Sequence, residues 1–472
     1  MCLTEKLNKI IEVIWDEERM PEGWNVAIIC PIHKKGDKLE CSNYRGISLL
    51  NIAYKVFTKV LAKRLTVYTE EIVGDYQCGF RKGRGTTDQI FTIRNVLEKC
   101  YEYNINLYQL FVDFKQAYDS VNRSVLYSTM TEFGVPNKLV RLVKMTLTNT
   151  ICKVKVEGQL SKAFKVNSGL RQGDVISTIL FNLCLEKVIR KIEINPGGTI
   201  LNRSLDYMAY ADDLNIVSRN TRYLAEAFQQ IDSEGRKMGI EVNVDKTKFM
   251  VSCRDQRIRD ENLTIGDKVF KKVRDFKYLG STITEDNNTS TEIKVRIAAG
   301  NRSYYSCLSM MKSRMLSRKS KVRIYKTIIK PVVMYGSETW TMSKKDQSAL
   351  LVWERKILRK IYGPVNDHDT WRIRTNSELQ ELYQDASIVA DIKGRRLRWA
   401  GHVERMEDSR KCKKVYRGKP EGRRKVGRPR KRWLDDVEED LKSIGVRGWR
   451  RKARDRSEWR KVVREAKVLH EL

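Results

Sequence analysis

Histidine and closely spaced cysteines are scarce in this chain of 472 residues. It has only four histidines, too dispersed for a histidine-based metal site, and none of its ten cysteines belongs to a CxxC pair. Such scattered cysteines argue against a zinc module and against a disulfide framework. Most of them lie in apolar runs, where we expect buried thiols in a reducing compartment. The cysteines are Cys2, Cys30, Cys41, Cys78, Cys100, Cys152, Cys184, Cys253, Cys307 and Cys412, and the histidines are His33, His368, His402 and His470.

Long hydrophobic runs are also missing. No stretch reaches the length of a membrane span, and no signal peptide opens the chain. We therefore expect an intracellular protein of the nucleus, the cytoplasm or both, neither secreted nor bound to a membrane. Hydrophobic residues still make up 41% of the chain, which is enough to build cores, and the length suggests two or three domains.

Acidic residues are too few to balance the basic ones. The chain has 92 lysines and arginines against 59 aspartates and glutamates, a formal charge of +33. A surplus of this size indicates a polyanionic partner, most simply nucleic acid. Residues 391–472 hold 29 basic and 14 acidic side chains, so the final part of the chain carries nearly half of the surplus.

Two adjacent aspartates, Asp212 and Asp213, lie between two β-prone runs within residues 207–217. Aspartate tolerates the backbone of tight turns, so the pattern predicts a hairpin with both carboxylates at its tip. The two charges repel each other unless a cation lies beside them, and hard oxygen ligands suit Mg²⁺ or Mn²⁺. The alternative interpretation is an ordinary solvated turn.

A third carboxylate, Asp113, follows the mostly apolar run 107–112, which is typical of a central strand. Charge at the end of a buried strand is costly unless it binds something. Together the three carboxylates match the needs of template-directed phosphoryl transfer, in which two metal ions activate a 3′-hydroxyl and stabilise the leaving pyrophosphate.

A basic loop lies between two predicted strands near the start of the chain. Lys34 and Lys35 lie in this loop, and Arg45 lies on the second strand. Such an arrangement would clamp a triphosphate. A solvated charged hairpin is an equally good explanation of this segment alone.

A glycine- and arginine-rich loop, 78–88, leads into a predicted helix and contains Arg81 and Arg84. Glycines permit close approach of a backbone, and helix N-termini favour anions, so the loop suits contact with a nucleic-acid backbone. A plain basic loop is the alternative.

The basic C-terminal part contains Arg428, Arg430, Lys431 and Arg432 around a proline, a pattern typical of segments that insert arginine into the minor groove. A basic linker is the alternative. Tryptophans also stud this region, where they either stack on bases or form a small helical core. They are Trp399, Trp433, Trp449 and Trp459.

The order of these motifs resembles the reverse transcriptase of non-LTR (LINE-type) retrotransposons over roughly residues 20–365. Three palm motifs carry the resemblance most strongly: 111–121 around Asp113, 169–174 with Gln172 and Gly173, and Tyr210-Ala211-Asp212-Asp213. The remaining matches are residues 43–50 and 79–84 of the fingers, 239–248 of the palm, and the primer-grip motif Tyr278-Leu279-Gly280.

The resemblance implies roles for several of these residues. Asp113 and Asp212 would hold two Mg²⁺ ions, or Mn²⁺, with Asp213 completing the cluster, and Lys246 would act as a general acid toward the leaving pyrophosphate. The incoming nucleotide would be contacted by further side chains. Tyr118 would screen the sugar 2′-position, Gln172 and Gly173 would shape the nascent base-pair pocket, and Arg45 with Lys34 or Lys35 would clamp the triphosphate.

The resemblance also implies an α+β, right-hand polymerase fold with an antiparallel palm sheet and a helical thumb, followed by a basic, mostly helical C-terminal region. Its partners would be an RNA template, a DNA primer or target, and dNTPs. The expected divisions are 1–106 for the N-terminal helix and fingers, 107–284 for the palm with the primer grip, 285–365 for the thumb and 366–472 for the nucleic-acid-binding region.

The sequence departs from the family in a few places. Thr178 replaces the proline that usually follows Ser177, which alters no catalytic group. The upstream endonuclease of many such elements is not expected in this chain, which would then be a fragment of a polyprotein or a truncated copy. Two alternatives stay open: a catalytically silent or co-opted nucleic-acid-binding remnant, and a group II intron maturase-like protein. Tyr118 disfavours an RNA-dependent RNA polymerase.

Overall fold

The computed structural model describes residues 2–193, 207–254, 261–420 and 430–469. Helices occur throughout these residues, and the chain after strand β15 is almost entirely helical. The helices are α1 Leu3–Glu17, α2 Ile52–Ile72, α3 Thr86–Tyr103, α4 Arg123–Glu132, α5 Asn137–Leu147, α6 Val175–Arg190, α7 Thr221–Lys237, α8 Thr289–Ser306, α9 Leu308–Lys312, α10 Arg318–Ile324, α11 Lys330–Val333, α12 Lys344–Tyr362, α13 Asn376–Tyr383, α14 Ile388–Arg405, α15 Lys411–Arg417, α16 Trp433–Ser443, α17 Trp449–Arg454 and α18 Arg456–Leu469.

The strands lie mainly in the first 284 residues. They are β1 Val26–His33, β2 Tyr44–Leu49, β3 Leu107–Val112, β4 Phe114–Lys115, β5 Thr150–Val156, β6 Gln159–Leu160, β7 Phe164–Val166, β8 Tyr207–Tyr210, β9 Asp213–Ser218, β10 Glu241–Val242, β11 Lys248–Ser252, β12 Leu263–Ile265, β13 Lys268–Lys272, β14 Asp275–Tyr278, β15 Ser281–Thr284, β16 Val365–Asp367 and β17 Thr370–Arg372.

The largest sheet has the strand order β12-β13-β11-β3-β9-β8. Strand β3 lies inside it and runs antiparallel to both β9 and β11, whereas β11 and β13 pair in parallel. Every residue of β3 except Tyr108 is buried, as its apolar run predicts. The sheet is therefore the expected palm, with one parallel pairing inside a mostly antiparallel arrangement.

A second sheet, with the order β2-β1-β5-β6, forms the fingers side of the cavity described below. Strand β1 pairs antiparallel with β2 and parallel with β5. Helix α6 crosses beneath the site and begins at Asp174, whose side chain accepts a hydrogen bond from the backbone N–H of Ile176. Thr178 lies inside this first turn, and its hydroxyl donates to the carbonyl of Val175.

The helices after β15 pack around two hydrophobic clusters, and the first of them joins the predicted thumb to α13 and α14. Trp340, Trp353 and Tyr325 are buried in the thumb cluster. The C-terminal cluster packs around Trp433 and includes Phe91 of α3, a helix that also packs against the palm sheet, so this region is attached to the palm through α3. Right-hand polymerase architecture followed by helices is the fold that the sequence predicted.

Two further predictions concern membrane-spanning helices and the burial of the cysteines. No helix among the described residues is long and apolar enough to cross a membrane. All ten cysteines are free thiols, and most are buried, whereas Cys2 and Cys41 are exposed and Cys30 is half-buried.

Candidate active site

The three predicted carboxylates meet at one end of the palm sheet. Asp113 immediately follows β3, and β9 starts at Asp213 after the two-residue turn of Ala211 and Asp212. Because β3 pairs with β9 in the register Val112–Leu214, the end of β3 lies beside the hairpin tip. The structure thus brings together residues that are about a hundred positions apart in sequence.

The hairpin tip is held by the buried side chain of Gln77. Its amide oxygen accepts hydrogen bonds from the N–H groups of Ala211 and Gly79, both at 2.8 Å. Its amide nitrogen donates to the carbonyl of Ala211 at 3.1 Å. Ala211 itself has a left-handed backbone, with φ of 56°. These bonds fix a strained turn that would otherwise relax, so the carboxylates have a defined position.

The surroundings of Asp212 and Asp213 disfavour the ionised form of both carboxyl groups. Burial, together with smaller contributions from the nearby charges of Asp212 and Asp113, raises the pKa of Asp213 to about 6. Burial also raises the pKa of Asp212, with a smaller contribution from Asp113, while Arg45 opposes the rise. Asp113 Oδ2 is buried and accepts no hydrogen bond from the described residues. A divalent cation would favour the ionised form of Asp212 and Asp213 and would give Asp113 Oδ2 a partner, so the donor set fits a hard metal ion.

The protein does not enclose a metal ion by itself. Among the described residues, no three histidine, cysteine, aspartate or glutamate side chains form a ready-made metal cage. Mg²⁺ in phosphoryl-transfer sites is commonly held by one or two carboxylates, with water and substrate phosphates completing the octahedron. The open arrangement of Asp113, Asp212 and Asp213 agrees with that kind of shared coordination.

Lys246 lies next to the carboxylates. Its Nζ is 3.7 Å from Asp113 Oδ2, and its side chain is largely exposed. The loop that carries it is tied to Asp113 on both sides, because Asn243 N donates to the Asp113 carbonyl at 2.8 Å and Asp113 N donates to Thr247 Oγ1 at 3.2 Å. The ammonium group of Lys246 is therefore held at the entrance to the site.

The carboxylates open into a cavity of about 990 Å³ between the palm and the fingers sheet. Lys34 and Arg45 lie on its fingers side, whereas Lys35 does not line it. Burial raises the pKa of Asp119, and the nearby charge of Lys34 opposes part of that rise. Of the two lysines that the sequence left open, Lys34 is the one placed for contact with an anionic ligand.

Tyr118 and Gln172 also line the cavity. The Tyr118 ring stacks on Phe181 at 4.8 Å, and its buried hydroxyl has no hydrogen-bond partner in the described residues. Gln172 Nε2 donates to Asp119 Oδ2 at 3.0 Å, which fixes the direction of the amide. Burial raises the pKa of Asp119 despite that hydrogen bond.

Asp119 is a site residue that the sequence analysis did not single out. It lies in the loop after β4, six positions beyond Asp113, and its position directly after Tyr118 was the available signal. Phe80, which also lines the cavity, was missed because nothing in the arginine-rich loop distinguished it.

Gly173 is required by the close approach of two backbones. Its φ is +118°, and a Cβ atom there would lie 2.8 Å from the carbonyl oxygen of Ser48. The N–H of Ser48 donates to the carbonyl of Gln172 at 2.8 Å, so the turn is joined to β2. Any larger residue would separate the fingers strand from the cavity floor.

The primer-grip motif forms the tight turn between β14 and β15. Leu279 and Gly280 both have positive φ, and Tyr278 is buried. The hydroxyl of Tyr335 donates to the Leu279 carbonyl at 2.7 Å and lies 3.2 Å from Thr86 Oγ1, while Arg296 donates to the Gly280 carbonyl. The turn is thus anchored to the thumb and to the start of α3.

The predicted phosphate contacts of Arg81 and Arg84 stay predictions, and both side chains pair with acidic residues of the protein. Arg81 is buried, pairs with Glu70 at 2.9 Å and donates to the carbonyls of Gly74 and Gln77. Arg84 pairs with Asp75 at 2.6 Å, and its side chain is also largely buried. These guanidinium groups hold their loop in shape, since their donors are directed into the protein.

The predicted groove-inserting segment also has partners within the protein. Arg430 lies over the Tyr101 ring at 4.4 Å and donates to the carbonyl of Asp286. Lys431 pairs with Asp436 and Glu439, and Arg432 pairs with Asp435 and Glu102. Arg428 lies outside the described residues. The three described cations thus have protein partners, and their contact with nucleic acid stays a prediction.

The tryptophans form the small helical core that was the alternative to base stacking. Trp433 meets Phe91 edge-on, with ring centres 4.7 Å apart, and Trp449 packs near Trp459. Trp433, Trp449 and Trp459 are buried, and Trp399 packs partly buried against the same cluster.

Comparisons with known proteins agree with this geometry. The family described as reverse transcriptase (RNA-dependent DNA polymerase) matches residues 32–283. A putative transposon-derived protein of Caenorhabditis elegans is 25% identical over 56% of this chain and 96% of its own length. A probable RNA-directed DNA polymerase from the transposon X-element of Drosophila melanogaster is 25% identical over 91% of this chain, which spans 46% of that relative.

Among solved structures, a telomerase of Candida albicans is similar, with a TM-score of 0.46 and 13% identity over 80% of this chain and 68% of that chain. The family match covers more than half of the sequence and includes every carboxylate of the site. The resemblance to reverse transcriptases of mobile elements is therefore confirmed. The chain belongs to the reverse transcriptase (RNA-dependent DNA polymerase) family, whose members use divalent metal ions and a nucleic-acid template.

Proposed function

We propose that this chain is the RNA-directed DNA polymerase of a non-LTR retrotransposon, which extends a DNA 3′-hydroxyl on an RNA template with dNTPs. One observation carries the proposal: Asp113, Asp212 and Asp213 converge on a cavity whose opposite wall presents Lys34 and Arg45. Carboxylates that face cations across a cavity of this size suit a metal-bound nucleoside triphosphate.

Asp113 and Asp212 would hold two Mg²⁺ ions, with Mn²⁺ as the alternative, and Asp213 would complete the carboxylate cluster. When bound, such ions supply Lewis acidity for attack by a primer 3′-hydroxyl and for departure of pyrophosphate. The charge of Asp113 contributes to the raised pKa of both Asp212 and Asp213, which supports this assignment because ionised oxygens in such a cluster need a positive partner.

The other side chains position the nucleotide. Lys34 and Arg45 neutralise the triphosphate from the fingers side, and Tyr118 excludes a 2′-hydroxyl by occupying its space. Gln172, held by Asp119, bounds the base-pair pocket. Lys246 donates a proton from Nζ to the leaving pyrophosphate, a role that its 3.7 Å distance from Asp113 supports.

The chain would be divided in the manner of a right hand. Residues 1–106 form the N-terminal helix and fingers, 107–284 the palm, 285–365 the thumb, and 366–472 a basic C-terminal region that contacts nucleic acid. The names of the mobile-element relatives support an RNA template. None of the contacts seen here favours a silenced remnant or a maturase.

Primer extension on a defined RNA template tests the proposal. A labelled DNA primer, four dNTPs and Mg²⁺ should yield a DNA copy of the template, and EDTA should abolish it. Asp267→Asn, in the exposed turn between β12 and β13, is the matched control for substitutions of the site aspartates. Absence of extension by a folded protein that binds primer–template would contradict the proposal.

A further inference from the structure

Phe80 combines two unfavourable features. Its φ of 57° places an L-residue in the left-handed region, and its large apolar side chain is 58% exposed. A non-glycine residue in this region costs roughly 1 kcal/mol or more and persists only where the surrounding structure imposes it. Neither feature contributes to the core, so the position of this ring calls for another explanation.

The backbone next to Phe80 is fixed against the catalytic turn. The N–H of Gly79 donates to Gln77 Oε1, and the carbonyl of Gly79 accepts from Asn182 Nδ2 at 3.0 Å. A Cβ atom at Gly79 would clash with the backbone nitrogen of Ala211. The same amide oxygen of Gln77 therefore holds both the hairpin tip and the residue that precedes Phe80.

The ring itself lies at the edge of the cavity. It is tilted by 43° against Tyr210, with ring centres 6.2 Å apart, and it lines the space into which Asp212 and Asp213 open. The following residue, Arg81, is buried in its contacts with Glu70 and the backbone, which fixes the loop from the other side. The structure thus holds an exposed aromatic face at a constant distance from the carboxylates.

We infer that Phe80 is a stacking surface for a nucleobase of the bound primer–template, at the position next to the metal site. This inference rests on the proposed polymerase function and adds a binding residue to it. A nucleobase offers a flat face to an aromatic ring, stacking does not depend on base identity, and the contact covers apolar area that is otherwise exposed. The base belongs either to the primer terminus or to the template strand.

Stacking can be measured without catalysis by fluorescence of 2-aminopurine, which is quenched when the base stacks. Metal-free protein is bound to primer–template duplexes in two arms. In the first arm, 2-aminopurine is at the primer terminus of an RNA–DNA duplex. In the second arm, it is at the first unpaired template position, and the template is a DNA analogue of the RNA. Binding is followed in parallel by the anisotropy of an end-labelled duplex. The variants are Phe80→Leu and Phe80→Tyr, with Trp371→Leu on the β16–β17 hairpin as an exposed aromatic control.

We expect Phe80→Leu to bind duplex on the order of ten-fold more weakly. At saturating protein, Phe80→Leu should give brighter 2-aminopurine fluorescence than the native chain in one of the two arms. That arm identifies the strand whose base stacks on Phe80. Phe80→Tyr should bind and quench like the native chain, and Trp371→Leu should change neither readout. Unchanged fluorescence in both arms with Phe80→Leu, while anisotropy shows full binding, would overturn the inference and leave the polymerase proposal intact. Failure of the native chain to bind duplex would overturn both.

Discussion

At the scale of single residues, the ionised carboxylate of Asp213 lowers the stability of the metal-free fold. Asp213 has a pKa of about 6 in the fold against an ordinary value of 3.8. The folded protein therefore binds this proton more tightly than the unfolded chain does. In the metal-free protein, stability falls as pH rises from about 3.8 through 6, and the loss remains above that range.

Asp213→Asn should therefore stabilise the metal-free protein at pH 8. Because Asp213 is partly exposed, we discount the shift for solvent screening and expect a gain of about 1 kcal/mol. The gain should shrink as pH falls through 6. Thermal melts in EDTA at pH 5 and pH 8 measure it, with Asp267→Asn as the control. Equal melting temperatures of the native chain and Asp213→Asn at pH 8 would show that the carboxylate is not strained.

Tyr118 makes a prediction about sugar selection. Its ring is stacked on Phe181, so Tyr118→Val opens space without releasing another contact across the cavity. We expect the preference for dNTPs over rNTPs to fall about ten- to a hundred-fold, the range for one steric difference in a pocket. Single-nucleotide incorporation with each substrate measures it. Tyr118→Phe keeps the ring and should keep the preference; a loss of preference in that variant would rule out a steric role.

At the scale of elements, buried contacts from the thumb position the primer-grip turn. The Tyr335 hydroxyl joins the Leu279 carbonyl to Thr86, and the Arg296 guanidinium lies over the Tyr335 ring at 4.7 Å. Glu292, which is fully buried, accepts from the N–H of Thr282 and pairs with Arg296. These contacts therefore join the turn, the thumb and α3 into one packed unit.

Tyr335→Phe should loosen this unit. Loss of one buried hydrogen bond to a carbonyl costs about 1 kcal/mol, which corresponds to roughly five-fold weaker binding of primer–template if the turn contacts it. The KM for dNTPs should not change, because neither Tyr335 nor the primer-grip turn lines the cavity proposed for the nucleotide. Tyr305→Phe on α8, with an exposed side chain, is the control. An altered KM with unchanged primer affinity would contradict the assignment.

The arginine-rich loop illustrates what the sequence could and could not reveal. The apolar run of β3 and the flanks of Asp212 predicted the carboxylate cluster, since strand patterns are local properties. Arg81, by contrast, contacts Glu70, Gly74 and Gln77, which are identifiable as its partners only in three dimensions. Surplus charge in a sequence shows that a polyanion binds, without showing which cations remain free to bind it.

The same limitation applies to the segment from Arg430 to Arg432 and to the pairing of β11 with β13. Tyr101 and Glu102 lie more than three hundred residues before the basic segment that they hold, and no local pattern indicates such a contact. The fold class was predictable from the resemblance to a known family. The hairpin at Tyr278-Leu279-Gly280 and the helical tryptophan core were predictable because each depends on periodicity or on a short turn.

At the scale of the whole molecule, the basic C-terminal region is joined to the polymerase. Trp433 is buried against Phe91, and its indole nitrogen donates to the carbonyl of Glu338. Arg396, almost fully buried, pairs with Asp436 at 2.7 Å and also with Asp440. The C-terminal helices thus share a core with α3, the helix that packs against the palm sheet.

Trp433→Ala should destabilise the palm together with the C-terminal helices, by about 3–5 kcal/mol for a large buried aromatic residue. Proteolysis or a melt should show one earlier transition that also lowers nucleotide incorporation. The control is Trp371→Ala, whose ring is exposed. Loss of the C-terminal helices alone, with an unchanged palm, would contradict the shared core.

The net charge of +33 predicts how binding responds to salt. Each neutralised phosphate contributes a slope of about −0.7 to −0.9 to log K against log salt. With five or more contacts, the slope for primer–template should be about −4 or steeper. Anisotropy titrations between 50 and 200 mM salt, roughly the range over which this effect is large, measure it. A flat profile would mean that the surplus charge does not face nucleic acid.

The central claim is that three carboxylates on two strand ends perform metal-dependent DNA synthesis on RNA. The most direct measurement is single-turnover addition of one dNTP to an RNA-templated primer, comparing the native chain with Asp212→Asn and Asp267→Asn. Primer–template affinity is measured on the same preparations. We expect Asp212→Asn to lose at least about a thousand-fold in rate, as expected when a ligand of a catalytic metal is removed, and to keep its affinity within a few-fold. Equal rates for Asp212→Asn and the native chain would contradict the claim.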